Sequence, residues 1–337
     1  MSALQNRQWR LIARPAGPVK RSDFEWVTSD VPSLGPGQVL VRVLYVSLDP
    51  AMRGWMADRR SYIPPVALGD VMRAVGVGRV VESNDASLSA GDHVTGLTGL
   101  QDYAVTAAKD LVRIDPRLAP LPRFLGALGG SGMTAYFGLL DVGQAKAGET
   151  VLVSAAAGSV GSLVGQIARV HGCRAVGIAG GPEKCAYVRD ELGFDAVIDY
   201  KHGDVGAGIK EHCPQGIDVY FDNVGGEILD LALARLARKA RVVICGAISQ
   251  YDVRDDMAGP KNYLSLLVNR ARMEGFVIFD YAARYAEAAR AIAGWLAEGR
   301  LKTSEQVEEG LENFPEVFLK LFRGENVGKL VLTVEPR

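Results

Sequence analysis

One segment, residues 151–170, limits the possible folds of this chain more than any other. It reads VLVSAAAGSVGSLVGQIARV, a short β-branched run that breaks into a turn with glycine and opens an amphipathic helix. A parallel sheet presents a helix N-terminus in this way, and the free N–H groups and positive dipole end stabilise a phosphate there. We expect Gly158 to permit the tight turn, Gly161 to let the backbone approach a pyrophosphate, and Gly165 to bring helix and strand together. The alternative is an alanine- and glycine-rich turn of any α/β protein.

Apolar runs and helix-like segments alternate after this turn. Further strands are expected at residues 174–178, 196–200, 217–222, 241–245 and 273–279. Such alternation requires a doubly wound parallel sheet with right-handed crossovers, as in a complete dinucleotide-binding fold. Ligands bind outside the carboxyl ends of such strands, so residues 179–184, 223–225 and 246–251 should border one crevice.

The first part of the chain has a different pattern. Runs typical of β-strands occur at residues 38–47, 76–82, 93–97 and 103–106, separated by proline, glycine and asparagine. Short strands divided by turn signals predict an antiparallel, barrel-like domain. A further run at residues 328–334 should return to that domain. We therefore expect one domain from residues 1–125 and 306–337, a Rossmann domain from residues 126–305, and a ligand cleft between them.

Composition fits a two-domain enzyme of the cytoplasm. The chain has 337 residues, 48% of them apolar, and a net charge of −1. This length exceeds what one core usually serves, and the charge provides no field to attract nucleic acid or an anionic membrane. No apolar run approaches a membrane-spanning helix, and the polar start lacks a signal-peptide core. The four cysteines are widely spaced, which favours reduced thiols over disulfides or a metal site: Cys173, Cys185, Cys213 and Cys245.

Several segments, in order over nearly the whole length, carry a resemblance to a known family. They are SLDPAMRG (47–54), GMTAYFGLLDVGQAKAGETVLVSAAAGSVGSLVGQIA (132–168), AGGPEKC (179–185), FDNVGGEILD (221–230), CGAISQY (245–251), MEGFVI (273–278) and RGENVGK (323–329). Together they resemble the zinc-independent, NADPH-dependent alkenal/one oxidoreductases of the medium-chain dehydrogenase/reductase superfamily, which include prostaglandin, alkenal double-bond and curcumin reductases. The resemblance implies a Rossmann sheet plus a GroES-like, mainly antiparallel β-barrel domain, and a homodimer.

The residues argue against a zinc site without reference to the family. Catalytic zinc needs about three protein ligands and structural zinc usually four, yet no cysteine precedes Cys173. The resemblance adds that Asp70 and Val71 stand where zinc-dependent relatives carry a Gly-His-Glu motif. His93, at the start of a strand, is expected to face solvent. We therefore expect no metal.

The end of the second strand of the alternating region favours NADPH over NADH. NAD enzymes usually place Asp or Glu about twenty residues after the glycine turn to bind the ribose 2′-hydroxyl, but residues 178–181 read IAGG. Without that carboxylate a 2′-phosphate is not repelled, and Lys184 can pair with it. The resemblance adds Tyr200 as a further phosphate contact. The alternative is that Lys184 is a solvated helix residue beside Glu183.

The resemblance and the crevice together suggest further cofactor contacts. Thr134 is expected to face the nicotinamide, Asn223 to close the crevice, and Asn326 to lie near the nicotinamide end. Asn223 also suits a plain turn, because Asn-Val-Gly-Gly is a turn sequence. The other expected contacts form the pyrophosphate turn, the segment after the fifth strand and the segment that holds the carboxamide: Gly158, Ser159, Val160, Gly161, Ser162, Cys245, Gly246, Ala247, Ile248, Ser249, Phe276, Val277 and Ile278.

The expected chemistry needs only orientation and one hydrogen-bond donor, since no metal or Ser-His-Asp arrangement is recognisable. Hydride added to the β-carbon of an enal or enone places charge on the carbonyl oxygen, and Tyr251 is the candidate donor. A surface aromatic that covers the cleft is the alternative for Tyr251. Ala51 replaces a tyrosine of many relatives, and Arg53 also suits a structural ion pair. The expected substrate pocket is Ala51, Met52, Arg53 and Tyr62.

Three functions are compatible with these residues. The first is NADPH-dependent reduction of the C=C bond of α,β-unsaturated aldehydes and ketones. The second is a quinone or carbonyl reductase on the same fold. The third is a non-catalytic NADPH-binding protein, because a fold alone does not guarantee turnover.

Overall fold

The computed structural model of the chain describes residues 4–253 and 259–334. They form two compact units, one containing the chain up to Leu125 and again from Glu305, the other comprising Gly126–Ser304. Within the described ranges no helix is long and apolar enough to cross a membrane. All four cysteines are free thiols, and Cys173 and Cys213 are buried.

Strands dominate the first third of the chain, and strands and helices alternate in the middle. In chain order the strands are β1 (Gln5–Leu11), β2 (Phe24–Asp30), β3 (Gln38–Ser47), β4 (Val75–Ser83), β5 (His93–Leu97), β6 (Tyr103–Ala107), β7 (Leu111–Ile114), β8 (Thr150–Val153), β9 (Arg174–Ala179), β10 (Ala196–Asp199), β11 (Ile217–Asp222), β12 (Leu236–Ile244), β13 (Arg272–Gly275), β14 (Glu305–Glu308) and β15 (Lys329–Thr333). The α-helices are α1 (Ala51–Trp55), α2 (Gly130–Phe137), α3 (Ser159–Val170), α4 (Pro182–Ala186), α5 (Val205–His212), α6 (Gly226–Leu233), α7 (Leu264–Asn269), α8 (Tyr285–Ala297) and α9 (Phe314–Arg323).

Two sheets build the first unit. β1 and β2 form an antiparallel pair, and a seven-stranded sheet has the order β14-β15-β3-β4-β5-β7, with β6 also paired to β3. Every pairing in the larger sheet is antiparallel except that of β14 with β15. This confirms the mainly antiparallel β-domain. In the part of the chain that the structure describes, its pairings form an open path and not a closed barrel.

The core of the first unit joins segments from the two ends of the chain. Trp9 of β1 is 1% exposed, and its Nε1–H donates to the Leu311 carbonyl at 2.8 Å. Its ring lies 6.3 Å from that of Phe314, measured between centroids. Such a buried indole needs a partner for its N–H group, and here the partner comes from the C-terminal segment.

The second unit is the predicted doubly wound structure. Its strands are all parallel, in the order β10-β9-β8-β11-β12-β13. This is the strand order of a dinucleotide-binding fold, in which the order reverses next to the first strand and opens a binding crevice at the carboxyl ends. The turns that follow β8, β9, β11 and β12 therefore meet at one edge of the sheet.

Several predicted strands match the structure residue for residue, namely β3, β5 and β11. β13 is shorter than predicted because Phe276 turns inward. A Cβ atom on Gly138 would lie 2.6 Å from its ring, and the ring meets that of Phe221 edge-on. β1, β2, β7 and β14 were not predicted from the sequence.

Candidate functional site

The turn after β8 contains the expected glycines in partly different roles. Gly158 is the N-cap of α3 and has φ −84°, an ordinary value for any residue. The left-handed residue of the turn is Ala155, with φ 52°. The positive φ of the turn thus falls on an alanine. A Cβ atom on Gly158 would lie 3.2 Å from the Ala155 carbonyl oxygen, so the role of Gly158 in permitting the tight turn stays a prediction. Gly161 is required for close approach, since a Cβ atom there would lie 2.3 Å from the Ala155 carbonyl oxygen.

Gly165 packs against an aromatic ring that the sequence analysis missed. A Cβ atom on Gly165 would lie 1.8 Å from Cζ of Phe194, and one on Gly177 of β9 would lie 3.0 Å from Cδ1 of the same ring. Phe194 is 3% exposed. The close packing of α3 on β9 is thus made through Phe194, which occupies the space that both glycines leave.

The N-terminus of α3 is arranged to receive an anion. Gly158 precedes the helix and no side chain caps it, while the first backbone bond runs from Ser162 N–H to the Gly158 carbonyl at 3.0 Å. The N–H groups of residues 159–161 therefore stand at the positive end of a twelve-residue helix. Ser159 Oγ donates to Ser131 Oγ on α2 at 2.7 Å. These backbone donors fit a pyrophosphate.

A buried carboxylate organises the turn after β11. Asp222 is 1% exposed. Its Oδ1 accepts hydrogen bonds from Ser154 Oγ (3.1 Å), Tyr220 Oη (2.8 Å), Val224 N (3.0 Å) and Gly225 N (3.0 Å). Burial raises the pKa of Asp222, and these hydrogen bonds oppose the shift. The carboxylate thus holds the backbone of residues 224 and 225 in place through these hydrogen bonds.

Asn223 is held by the neighbouring strand. Its backbone N–H donates to Ser154 Oγ at 2.9 Å, and its Nδ2 donates to the Ser154 carbonyl at 2.8 Å. Ser154 directly follows β8, so Asn223 bridges the carboxyl ends of β8 and β11. These contacts fit the turn interpretation of Asn223 and also bring it to the predicted crevice.

The segment after β12 brings the phenol of Tyr251 back to the sheet edge. A Cβ atom on Gly246 would lie 2.9 Å from Tyr251 Oη, and Ala247 N–H donates to the same oxygen at 3.3 Å. Because the phenol oxygen accepts in this contact, the contact does not use the hydroxyl proton. Cys245 lies in the same segment, where burial and the charge of Asp222 raise the pKa of its thiol to about 12. The thiol is therefore neutral near pH 7.

Other parts of this segment are tied to the turn after β11. Cys245 N–H and Gly246 N–H donate to the Asp222 carbonyl at 2.9 and 3.1 Å. Ser249 Oγ donates to the Val224 carbonyl at 2.6 Å, and Ile248 begins a short 3-10 turn. The predicted contact residues 245–249 thus lie beside Asn223.

Tyr200 and two glycines border the end of β9. A Cβ atom on Gly180 would lie 2.6 to 2.8 Å from the ring and hydroxyl of Tyr200, so only glycine leaves room for that ring. Gly181 has φ 91° and caps the short helix α4, in which Lys184 is half-buried. The predicted phosphate residues therefore come from adjacent strand ends.

Thr134 and residues 276–278 also belong to the second unit. Thr134 Oγ1 donates to the Gly130 carbonyl within α2 at 2.7 Å. The Ile278 carbonyl accepts from Tyr285 Oη at 2.9 Å. Phe276 and Val277 connect β13 to the turn that starts at Ile278.

The remaining predicted residues lie in the first unit. Met52 is fully buried, and Arg53 is 3% exposed, with its guanidinium donating to the Gly17 carbonyl at 2.9 Å. The side chains of Met52 and Arg53 both lie in the interior of the unit. Their burial does not support the prediction that these two residues line a substrate pocket. Tyr62 is exposed and its hydroxyl accepts from Trp55 Nε1 at 3.2 Å.

Two other positions in this unit have simple local contacts. Ala51 begins α1, and Asn326 Nδ2 donates to the Gly328 carbonyl at 3.2 Å. Asp70 is exposed, and its carbonyl accepts from Leu11 N–H at 3.0 Å. Over residues 4–253 and 259–334, no group of three or more His, Cys, Asp or Glu side chains is placed to hold a metal ion.

In comparisons with known proteins, this chain is similar to oxidoreductases over nearly its whole length. A family model described as the N-terminal domain of oxidoreductase matches residues 7–114, and one described as zinc-binding dehydrogenase matches residues 159–294. The NADPH-dependent curcumin reductase of Escherichia coli (strain K12) is 43% identical over 98% of this chain and 97% of its own length. The 2-alkenal reductase (NADP(+)-dependent) of Nicotiana tabacum is 40% identical over 98% of each chain. The crystal structure of CurA from Vibrio vulnificus in complex with NADPH superimposes with a TM-score of 0.93 at 42% identity, covering 98% of this chain and 100% of that one.

Proposed function

The chain belongs to the medium-chain dehydrogenase/reductase family, and we propose that it uses NADPH to reduce the C=C bond of α,β-unsaturated aldehydes and ketones. One observation carries this proposal: the Tyr251 hydroxyl lies at the carboxyl edge of a dinucleotide-binding sheet. It does so in a chain 43% and 40% identical to a curcumin reductase and a 2-alkenal reductase. A hydrogen-bond donor at this edge suits a reaction that develops charge on a carbonyl oxygen.

The second unit fits NADPH. The N–H groups of residues 159–161 would bind the pyrophosphate, and Lys184 and Tyr200 the 2′-phosphate. Asn223, Thr134 and the segments 245–249 and 276–278 would hold the nicotinamide half. When bound, NADPH supplies the hydride that adds to the β-carbon of the substrate.

In the proposed mechanism the protein positions the substrate and stabilises its developing charge. Tyr251 donates its phenolic proton in a hydrogen bond to the substrate carbonyl oxygen, which becomes an enolate oxygen in the reaction. A neutral phenol does this without being ionised near pH 7. The α-carbon then takes a proton from water, or from Tyr251, in which case water reprotonates the phenolate that remains.

We infer that this reaction needs no zinc and takes place in the cytoplasm. Asp70 and Val71 replace the Gly-His-Glu ligand motif, and a phenol takes over the polarising role that a metal has in alcohol dehydrogenation. The four free thiols agree with a reducing compartment.

We also infer that the protein forms a homodimer through the edge of the six-stranded sheet. β13 is the last strand of that sheet, and all four of its residues are exposed. On the neighbouring helix α7, Leu267 is 75% and Val268 67% exposed. An exposed strand edge beside exposed leucine and valine side chains is a template for pairing with a second copy.

The proposed activity is tested by NADPH oxidation with enals and enones of graded size, followed by identification of the products. A saturated aldehyde or ketone is the expected product. An allylic alcohol or a hydroquinone would identify a carbonyl or quinone reductase instead. Tight NADPH binding without turnover of any enal, enone or quinone would identify a non-catalytic binding protein.

A further inference from the structure

Asp199 joins the two backbone segments that border the end of β9. Its Oδ1 accepts from the backbone N–H of Gly181 at 2.8 Å and from that of Lys201 at 2.9 Å. Gly181 precedes the helix that carries Lys184, whereas Lys201 directly follows Tyr200. One carboxylate oxygen therefore connects the predicted lysine and tyrosine of the phosphate site, although Asp199 was not among the predicted site residues.

The conformation of these two segments depends on glycine at positions 180 and 181. Gly181 has φ 91°, a conformation that residues other than glycine rarely adopt, and its N–H group donates to Asp199. Tyr200 N–H donates to the Ala179 carbonyl at 3.0 Å, and the Tyr200 ring fills the space above Gly180. The hydrogen bond from Gly181 N–H to Asp199 Oδ1 is a second link between the segment after β9 and the end of β10.

The second oxygen of the Asp199 carboxylate also has a partner in the protein. Its Oδ2 lies 2.9 Å from Nδ1 of His202. Burial alone would raise the pKa of Asp199, but hydrogen bonds from Gly181, His202 and Lys201 lower it to about 2. The carboxylate is thus ionised near pH 7 and accepts hydrogen bonds from its own chain, unlike the ribose-binding carboxylate of an NAD enzyme, which must be open to the ligand.

We propose that Asp199 is a positioning residue for recognition of the 2′-phosphate of NADPH, acting through Gly181 and Lys201 to hold Lys184 and Tyr200 in place. This inference rests on the cofactor preference in the proposed function. It makes selectivity for the phosphorylated cofactor depend on an acidic residue that does not contact the phosphate.

Three substitutions separate the geometry of Asp199 from its charge. Asp199→Asn keeps an oxygen that can accept from both N–H groups and removes the charge. Asp199→Glu keeps the charge and displaces the oxygens by one methylene group, and Asp199→Ala removes both. Asp190→Ala is the matched control, because Asp190 forms an exposed ion pair with Arg189 on the same unit.

Dissociation constants are measured by calorimetry for NADP+ and NAD+, and for the fragments 2′,5′-ADP and 5′-AMP. We expect Asp199→Ala and Asp199→Glu to weaken NADP+ and 2′,5′-ADP by about tenfold, and NAD+ and 5′-AMP much less. Asp199→Asn and Asp190→Ala should stay close to the wild type. If Asp199→Ala does not fold, the Asn and Glu variants alone decide between geometry and charge.

Tighter NADP+ binding by Asp199→Asn and Asp199→Ala would show that Asp199 only repels the phosphate, and would overturn the inference. So would equal losses for NADP+ and NAD+, or an Asn variant as weak as the Ala variant. A wild type that binds NADP+ and NAD+ equally would contradict the proposed cofactor preference and this inference together. A wild type that prefers NADP+ but reduces no enone would contradict the proposed reaction only.

Discussion

Replacing Gly165 by alanine should destabilise the second unit, although alanine is the better helix former. Gly165 lies within α3, where alanine is favoured over glycine by about 1 kcal/mol. The added methyl would, however, lie 1.8 Å from Cζ of Phe194 and 2.2 Å from Cε1. The ring cannot simply move away, since Phe194 is buried and also packs against Gly177. Overpacking of this kind costs about 1–3 kcal/mol.

The cost of overpacking should exceed the gain in helix propensity. The overpacking cost less the gain in helix propensity should lower the free energy of unfolding of Gly165→Ala by up to about 2 kcal/mol and the melting temperature by up to about 8 °C. Gly294→Ala is the matched control, because Gly294 lies within α8 and a Cβ atom there would meet nothing within 4 Å. That variant should gain about 0.5–1 kcal/mol. The assay is thermal and urea unfolding of both variants beside the wild type.

A double substitution tests whether the ring is the cause. Phe194→Ala removes the ring and should cost about 3–5 kcal/mol by itself. In its presence Gly165→Ala should no longer destabilise, which gives a coupling energy of about 1 kcal/mol or more. If Gly165→Ala is as stabilising as Gly294→Ala, or if its effect persists without the ring, the packing argument is refuted.

Four further predictions concern the site, the acid stability and the assembly. Tyr251→Phe should lower kcat about a hundredfold with little change in the Kd of NADPH, and an unchanged kcat would remove Tyr251 from the mechanism. Lys184→Ala should weaken NADPH about tenfold or more and NADH little; equal losses would refute the phosphate assignment. The pKa of Asp199 is lowered from 3.8 to about 2 in the fold, so its ionisation stabilises the fold above that range and this stabilisation is lost as the pH falls from 3.8 toward 2. The wild type should therefore lose more stability than Asp199→Asn in urea titrations across that window, and parallel losses would contradict the pKa shift. Leu267→Glu should convert a dimer to a monomer in light scattering, and an unchanged mass would place the interface elsewhere.

Local patterns were sufficient to predict much of the second unit. The segment IDVYFD of β11 lies between Gly216 and the turn sequence Asn-Val-Gly-Gly, so its bounds follow from the sequence alone. Asn223 could be placed at the crevice because parallel strands end at one edge. The edge strand β13 was harder to delimit, because its end depends on Phe276 packing on Gly138, a contact between distant parts of the chain.

The contacts that the sequence did not reveal are non-local or contradict residue preferences. Arg53 is buried although arginine is rarely so, and its partner, the Gly17 carbonyl, lies 36 residues earlier in the chain. Ala155 adopts φ 52°, where glycine would be the usual residue. Asp199 acts through backbone N–H groups, which any sequence provides, so no residue pattern marks its role.

The position of β15 has a consequence for synthesis of the protein. This strand is inserted between β14 and β3, and Trp9 of β1 needs the carbonyl of a residue 302 positions later. A nascent chain emerging from the ribosome can therefore assemble the nucleotide-binding unit while its amino-terminal strands still lack their neighbour. The half that is translated first is the half that is completed last, and until then the unpaired edge of β3 is exposed to chaperones and to self-association.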